Sequence, residues 1–286
     1  MVWIDISSRD SLVGRTLLPA QRQDRILSEI ERAGGARIAE LAELLGVSDM
    51  TVRRDIELLA RRGLVQKVYG GATARPRSTS DEPGFEAKSS QERAAKEHIA
   101  TAAAGLVRPG ATIAVSAGTT TFALTEPLAR IPDLTVVTNS PRLADYLFTH
   151  GETSQTILLT GGLRTPSDAL VGPIAIGALR GLYVDCLLLG VHGMDAIAGF
   201  TTPNLLEADM NRAMVAAAGR LIVLADHTKW GVVGLSAMAA LTDATILVSD
   251  SGLTGDAREV LAGTVGELII ADADEATVVN DAARAS

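Results

Sequence analysis

The sequence is short of several things at once, and each shortage removes a class of protein. Of 286 residues only 3% are aromatic, and one, Cys186, is a cysteine. A single thiol excludes a disulfide framework, and its place in an apolar run marks it as a buried structural group. With so few rings, the 47% of apolar residues must pack as aliphatic side chains and alanine. No apolar run is long enough to cross a bilayer. The first residues, MVWIDISSRD, have neither the basic region nor the apolar stretch of an export signal, so a cytoplasmic protein without membrane contact is expected. No GxGxxG and no GxxxxGK(S/T) follows a strand pattern, which argues against a dinucleotide or a nucleoside triphosphate. His192 and His227 stand in no spacing that metal ligands use. Neither a metal nor another cofactor is expected.

Positive charge is short as well. A net charge of −8 excludes a protein that coats nucleic acid with its whole surface, but the distribution is uneven. Residues 51–77 hold Arg53, Arg54, Arg61, Arg62, Lys67, Arg75 and Arg77 against Asp55 and Glu57, a local +5 that leaves −13 on the rest. A basic stretch on an acidic chain suits a small DNA-reading module joined to a body that avoids DNA. The length fits two domains by the soft prior of about 150 residues each.

What is present begins with Gly46-Val47-Ser48-Asp49-Met50-Thr51-Val52-Arg53-Arg54-Asp55. Before it, Ile38, Leu41, Ala42, Leu44 and Leu45 follow the 3.6-residue period of an amphipathic helix. Gly46 can turn with positive φ, and Ser48 can cap the next helix. That helix should turn Val52, Ile56, Leu58 and Leu59 inward and present Met50, Thr51, Arg53 and Arg54 near its start. In a helix-turn-helix this end of the second helix reaches base edges in the major groove. Thr51 suits a thymine methyl or a phosphate, and Arg53 or Arg54 a guanine or a phosphate. The alternative is a helical hairpin whose arginines only solvate a face. A first helix opens at Pro19 and ends at Gly34-Gly35, after a loose arm over 1–18. Residues 64–72 read as two short strands that expose Lys67. Three helices and a basic hairpin make a winged helix, whose wing meets the DNA backbone or minor groove. The expected partner is double-stranded operator DNA.

Residues 19–75 form this module, and 76–90, in a stretch rich in proline, serine and charge, form a linker. From 91 to 272 apolar strands alternate with helices. Strands are expected at 111–116, 134–138, 156–160, 184–191, 221–225, 244–248 and 267–271. Helices are expected at 94–106, from after the turn Gly118-Thr119-Thr120-Thr121 to about Arg130, and at 141–149, 174–181, 205–218 and 256–262. This pattern predicts an α/β domain with a mostly parallel sheet covered on both faces. Ligands of such sheets bind beyond the carboxyl ends of the strands. Five strand ends are polar and together predict one shared pocket: Ser116-Ala117-Gly118-Thr119-Thr120, Thr138-Asn139-Ser140, Thr160-Gly161-Gly162, Val191-His192-Gly193-Met194-Asp195 and Asp226-His227-Thr228-Lys229. Gly118-Thr119-Thr120, between strand and helix, offers backbone N–H groups and hydroxyls to a phosphate, or is an ordinary capped turn. Gly161-Gly162 brings backbone against a ligand, or only turns the chain. Lys229 suits phosphate or carboxylate and Glu207 suits sugar hydroxyls; solvated surface charges are the plain alternative.

Taken with these motifs, the chain resembles the DeoR family of bacterial transcriptional regulators over about residues 19–272. The N-terminal likeness runs through RQDRILSEIERAGGARIAELAELLGVSDMTVRRDIELLARRGLVQKVYGGA. The C-terminal likeness rests on AAKEHIA, SAGTTTFAL, VVTNS, LLTGG, ALVGP, VDCLLLGVHGMD, GFTT, Glu207 and DHTKWG. The resemblance implies an effector domain similar in fold to ribose-5-phosphate isomerase and coenzyme A transferases. It also implies repression of sugar or polyol catabolism genes, relieved by a phosphorylated sugar or polyol. Gly118, Thr119 and Thr120 match the family's phosphate-gripping motif. Asn139, Gly161, Gly162, Asp195, Glu207 and Lys229 match pocket positions, and Lys96 matches a lysine in the first helix of the domain. Ser116-Ala117 replaces the aspartate and serine of many members, and His192 replaces a shorter acidic or polar residue. An effector other than an ordinary hexose phosphate follows from the missing acid.

The reading is thus a DNA-binding regulator that is not an enzyme, with Ser48, Met50, Thr51, Arg53, Arg54 and Lys67 on DNA. Its effector residues are Ser116, Gly118, Thr119, Thr120, Asn139, Gly161, Gly162, His192, Asp195, Glu207, Lys229 and Lys96. A homo-oligomer, dimer or tetramer, is expected of a helix-turn-helix protein that reads repeated half-sites. Two alternatives stand beside it. One is an isomerase or transferase with an added basic domain, using Glu207 as base and Lys229 as electrostatic partner. The other is an activator rather than a repressor.

Overall fold

The computed structural model describes residues 18–33, 35–62, 64–68, 70–74, 84–272 and 276–279. The expected arm over 1–17, residues 75–83 of the linker region, and Gly34, Gly63, Tyr69, Arg75 and Arg77 lie outside them. The chain divides into two compact units, Met1–Pro76 and Arg77–Ser286.

In the first unit, α1 (Pro19–Ala33), β1 (Gly35–Arg37), α2 (Ile38–Leu45), α3 (Asp49–Arg61), β2 (Val65–Val68) and β3 (Gly71–Ala74) follow in order. The strands form an antiparallel sheet in the order β1-β3-β2. Ile26 and Ile30 of α1, Leu41 of α2, and Val52, Ile56 and Leu59 of α3 are at most 1% exposed. Each contributes about 1.5–3 kcal/mol of burial to this one small core. Two apolar residues expected inside stand further out: Leu44 is 47% exposed and Leu58 is only partly buried. Both lie at the edge of their helix's apolar stripe. The strand β1 was not expected; Gly35 ends no helix but opens the strand that pairs with the wing.

In the second unit, α4 (Phe85–Ser89) and α5 (Arg93–Ala104) lead into β4 (Thr112–Val115), α6 (Thr119–Phe122), α7 (Thr125–Ala129), β5 (Thr135–Thr138), α8 (Pro141–His150) and β6 (Thr156–Leu159). A small hairpin, β7 (Leu163–Arg164) and β8 (Leu170–Val171), precedes α9 (Pro173–Ala178) and β9 (Cys186–Gly190). Then come β10 (Gly193–Asp195), β11 (Gly199–Thr202), α10 (Leu205–Ala217), β12 (Leu221–Leu224), β13 (Ser236–Ala239), β14 (Ile246–Asp250), α11 (Gly255–Ala262), β15 (Leu268–Ala271) and β16 (Ala276–Val279). The main sheet has the order β16-β15-β14-β12-β9-β4-β5-β6. Its seven strands from β15 to β6 are parallel, and β16 is antiparallel at one edge.

The strands alternate with period two and feed two cores. Ile113, Val115, Cys186, Leu188, Ile222 and Leu224 face one helical layer, and Ala114, Leu187, Leu189, Leu221 and Val223 face the other. That two-sided burial explains the near-continuous apolar strands of the sequence. The fold is the expected α/β class with a smaller winged helix-turn-helix unit.

Several boundaries need correction. Residues 84–90, expected as linker, are folded into the α/β unit as α4 and its flanks, because Phe85 is apolar enough to be buried to 8% exposure. The sheet runs past residue 272 through β16, which pairs along Leu268–Ala271. The turn expected at 118–121 and the helix expected after it to about Arg130 are two short helices, α6, which already begins at Thr119, and α7, separated at Ala123 and Leu124. A second small sheet, β10-β11-β13, is antiparallel and was not expected, its strands being too short to show alternation.

Candidate functional site

The helix-turn-helix is built locally. Gly46, at φ 64°, ψ 34°, closes α2 and donates its N–H to the carbonyls of Ala42 and Glu43. This left-handed conformation suits glycine. Ser48 is then extended, and its Oγ accepts the Thr51 N–H at 3.3 Å and lies 3.0 Å from Thr51 Oγ1. These bonds hold the start of α3. Met50 is 74% exposed, Arg53 and Arg54 are exposed, and Thr51 is partly so. Opposite them Asp55 is buried, accepting Arg22 Nε at 2.6 Å and Gln23 Nε2 at 3.0 Å. It therefore fastens α3 to α1, a role that its neighbours in sequence did not announce. Lys67 is on β2, as the wing requires, and its ammonium pairs with Glu57 Oε1 at 2.7 Å. That hydrogen bond holds the Glu57 carboxyl below its ordinary pKa.

The second site lies where the order of the parallel sheet reverses. From β4 the chain proceeds outward to β5 and β6, then returns beside β4 as β9 and builds β12, β14 and β15 on the other flank. The carboxyl ends of β4 and β9 thus splay apart at a switch point, the place where such sheets take ligands. A cleft of about 60 Å³ sits there. Ala117 and Gly118 come from the end of β4, Thr119 and Thr120 from the start of α6, and Val191 and His192 from the end of β9. Glu207 enters from the first turn of α10 and Lys229 from the short 3-10 turn after β12. Glu207 Oε1 accepts the Thr165 hydroxyl at 2.6 Å, and its Oε2 accepts that of Thr202 at 3.3 Å.

Of the twelve effector residues expected, Gly118, Thr119, Thr120, His192, Glu207 and Lys229 line this cleft, and six do not. Ser116 is buried beneath it, its Oγ accepting the Gly190 N–H at 3.0 Å and so tying β4 to β9. Asn139 accepts the Ala117 N–H at 2.7 Å and donates to the Leu170 carbonyl at 3.1 Å, which braces the floor from below. The close backbone approach at Gly162 is to the protein itself: a Cβ there would stand 2.5 Å from the Val171 oxygen, and Gly161 turns the same bend. Asp195 accepts the N–H groups of Ile197 and Ala198 at 2.8 and 2.9 Å. It caps the β10–β11 turn, and these bonds lower its pKa. The single pocket expected from five strand ends therefore draws on three, those of β4, β9 and β12. The end of β5 is next to β4 but spends the polar groups of Asn139 on the backbone of Ala117 and Leu170, and β6 lies one strand further out.

Lys96 is the sixth. It is 3% exposed, and its ammonium donates to the carbonyls of Lys88 at 2.7 Å and Gln91 at 2.6 Å. Burial pushes its pKa down to about 8, with Asp226 opposing and Lys229 adding to the fall. Asp226 is fully buried, and its Oδ2 accepts no hydrogen bond and lies 3.8 Å from Lys229 Nζ. Among the described residues no group of His, Cys, Asp or Glu could hold a metal ion, and no helix is long and apolar enough to cross a membrane.

The sequence reading missed four residues of the lining that matter: Lys88, Ser167, Thr202 and Asn211. Thr202 sits in the GFTT motif, which could have drawn attention to it. Lys88 fell inside a stretch read as linker and gave no signal.

A winged helix joined to a parallel α/β unit with a charged cleft at its switch point defines a class, a DNA-binding regulator that carries a small-molecule site. Comparison makes this specific. Residues 22–77 match the DeoR-like helix-turn-helix domain and residues 91–251 the DeoR C-terminal sensor domain. The chain belongs to the DeoR family of transcriptional regulators. The HTH-type transcriptional regulator GlpR of Haloferax volcanii is 35% identical over 85% of this chain and 94% of its own length. The transcriptional repressor AccR of Agrobacterium fabrum is 33% identical over 81% of this chain and 89% of its own. Among solved structures, ribose 5-phosphate isomerase A from Neisseria gonorrhoeae aligns with TM-score 0.36 and 11% identity, over 65% of this chain and 95% of that one. The delta subunit of eIF2B from Chaetomium thermophilum aligns with TM-score 0.38 and 14% identity, over 74% and 83%. Overlap at that level says nothing of ligand or activity.

Proposed function

We propose that this protein represses genes for the breakdown of a sugar or polyol and leaves its operator when a phosphorylated form of that compound fills the cleft at the β4–β9 switch point. One observation carries the reading: Lys229, the Gly118–Thr120 turn and Glu207 converge on one small space. A cation and free backbone N–H groups suit a phosphoryl group, and a carboxylate beside them suits hydroxyls. In this reading residues 19–75 bind DNA through Ser48, Met50, Thr51, Arg53, Arg54 and Lys67, and the remaining chain from about residue 84 senses the effector. Ser116, Asn139, Gly161, Gly162, Asp195 and Lys96 act through the shape of the cleft rather than by touching the ligand. The protein acts in the cytoplasm as a two-fold homo-oligomer on paired half-sites. The edge strand β6, with Leu158 and Leu159 about half exposed, is the kind of surface a second copy covers.

An effector shifts the operator equilibrium only through its different affinity for the DNA-bound and free states. Repression is preferred to activation because the relative AccR is named a transcriptional repressor. The reading is tested by melting the purified protein against phosphorylated sugars and polyols, each beside its unphosphorylated parent. A ligand at 100 times its dissociation constant stabilises the folded state by about 2.7 kcal/mol. A shift confined to a phosphate ester, lost in Thr119→Ala with Thr120→Ala and accompanied by release of operator DNA, is the expected result. Turnover of that ester would instead make the protein an enzyme, with Glu207 as its base.

A further inference from the structure

The short helix α4 is tied to the cleft at every described side chain that reaches inward. Lys88 lines the cleft and donates to Ser167 Oγ at 2.9 Å. Phe85, the one buried residue among its described side chains, stands edge-on to Phe122 of α6, with ring centroids 5.7 Å apart. The Phe85 N–H donates to the Pro166 carbonyl at 3.2 Å, and the Arg142 guanidinium lies 4.5 Å over the Phe85 ring. Arg142 also pairs with Glu86 at 2.8 Å and Asp168 at 2.5 Å. Behind the helix, Lys96 holds the carbonyls of Lys88 and Gln91.

The turn between β7 and β8 is the common partner. Ser167 holds Lys88, Pro166 holds Phe85, Asp168 holds Arg142, and Thr165 donates to Glu207 in the cleft. The four residues 165–168 therefore touch both the cleft's carboxylate and the helix that delivers its second lysine. A ligand in the cleft lies against Lys88 of α4 as well as against Lys229 and the Gly118–Thr120 turn. The strands and α10 are embedded in the core. The wall with one buried side chain is α4, and in chain order it is the first described element after the DNA-binding unit.

We propose that α4 is a strap whose docking is set by occupancy of the cleft: Lys88 binds the ligand's anionic group together with Lys229, and α4 moves with it. The proposal rests on reading the cleft as an anion site. Lys88 and Lys229 against Glu207 leave the lining with a net positive charge, which suits a phosphoryl group. A hydrogen bond between an ammonium and a phosphate strengthens as water is excluded, so the strap closes more firmly on a filled cleft than on an empty one.

The test is hydrogen exchange of the full chain with inorganic phosphate as probe, beside melting. In the wild-type protein phosphate should raise the melting temperature and change exchange at 86–91 at least threefold, with α8 unmoved. Thr119→Ala with Thr120→Ala should lose the ligand-specific part of the melting shift, which separates binding from the general stabilisation that phosphate salts give. Phe85→Ala should leave α4 exchanging fast with or without phosphate and, because Lys88 is then no longer held at the cleft, should weaken phosphate binding towards that of Lys88→Met. Ser167→Ala, which deletes one hydroxyl, should weaken the α4 response without unfolding the sheet. Lys88→Met should bind phosphate about tenfold less well, the loss of roughly one charge-assisted hydrogen bond. A specific melting shift with unchanged α4 exchange would overturn the strap and leave the cleft reading standing. No specific shift at all would overturn the cleft reading, and the strap with it.

Discussion

The two units encode their sites over different ranges of sequence. Five of the six residues expected on DNA, Ser48, Met50, Thr51, Arg53 and Arg54, lie within seven consecutive positions, where a glycine turn, a serine cap and one helical period fix the exposed side chains. The cleft draws on Lys88 at one extreme and Met238 at the other, and only strand order brings them together. Local chemistry suffices for the first; the second needs topology. The difference is tested most sharply where each unit depends on the other kind of information.

The largest effect is expected at Asp55, the point where the local site depends on a distant residue. Asp55→Ala leaves Arg22 without its buried carboxylate, and removing one partner of a buried pair costs about 3–5 kcal/mol. In a unit this small that should unfold α1 and α3, seen as loss of hydrogen-exchange protection there with the α/β unit unchanged. Asp55→Asn keeps acceptor and shape and should lose less than half as much. Equal protection in Asp55→Ala and the wild type would show that the clasp is dispensable.

Lys96 is the corresponding buried group of the sensor. Its pKa falls from 10.5 to about 8 on folding because burial penalises the ammonium. Between those values the unfolded chain binds more protons than the folded one, so stability rises with pH across the window, by at most about 1.4 kcal/mol per pH unit. Below pH 8 both states are protonated and the slope vanishes. The stability of wild type relative to Lys96→Met should therefore grow from pH 8 towards 10.5. A flat difference would mean that the two carbonyls bound to the ammonium fully offset its burial.

These two residues also mark what the sequence made legible. Binary alternation, caps and glycine turns located the winged helix, the parallel strands and most helices to within a few residues. Gly118, Thr119, Thr120, His192, Glu207 and Lys229 were found because each ends a strand or opens a helix near the reversal. Asn139, Gly161, Gly162 and Asp195 looked identical by that criterion, yet they brace turns, because a strand-end motif does not tell whether its groups face the cleft or the neighbouring backbone. Lys88 was hidden in a stretch whose proline, serine and charge resemble a linker, and only the burial of Phe85 reveals that the stretch is folded. Asp55 was counted as one of two acids in a basic run, and its burial depends on Arg22 and Gln23, more than thirty residues away.

For the local site, Arg53→Ala and Arg54→Ala separate reading from solvation. A residue that contacts a base should cost about 1–3 kcal/mol of operator affinity and relax specificity at one position. The response to effector should be untouched in both, since neither side chain belongs to the cleft. Unchanged affinity in both variants would return the arginines to solvent and move the recognition surface to Met50 and Thr51.

The smallest effect is expected at the wing. Lys67 and Glu57 are each about half exposed, so water screens their pair and a DNA phosphate can compete for the ammonium. If it does, Lys67→Ala removes one phosphate contact, and the slope of log affinity against log salt should fall by about 0.9 whatever the operator sequence. Glu57→Gln releases the same ammonium and removes a negative charge near the backbone, so it should strengthen binding. The gain should be smaller when Lys67 is already alanine, because only the charge effect then remains. Equal gains in the two backgrounds would mean that Lys67, even when released from Glu57, makes no contact with DNA, and the wing would then position the unit through its backbone alone.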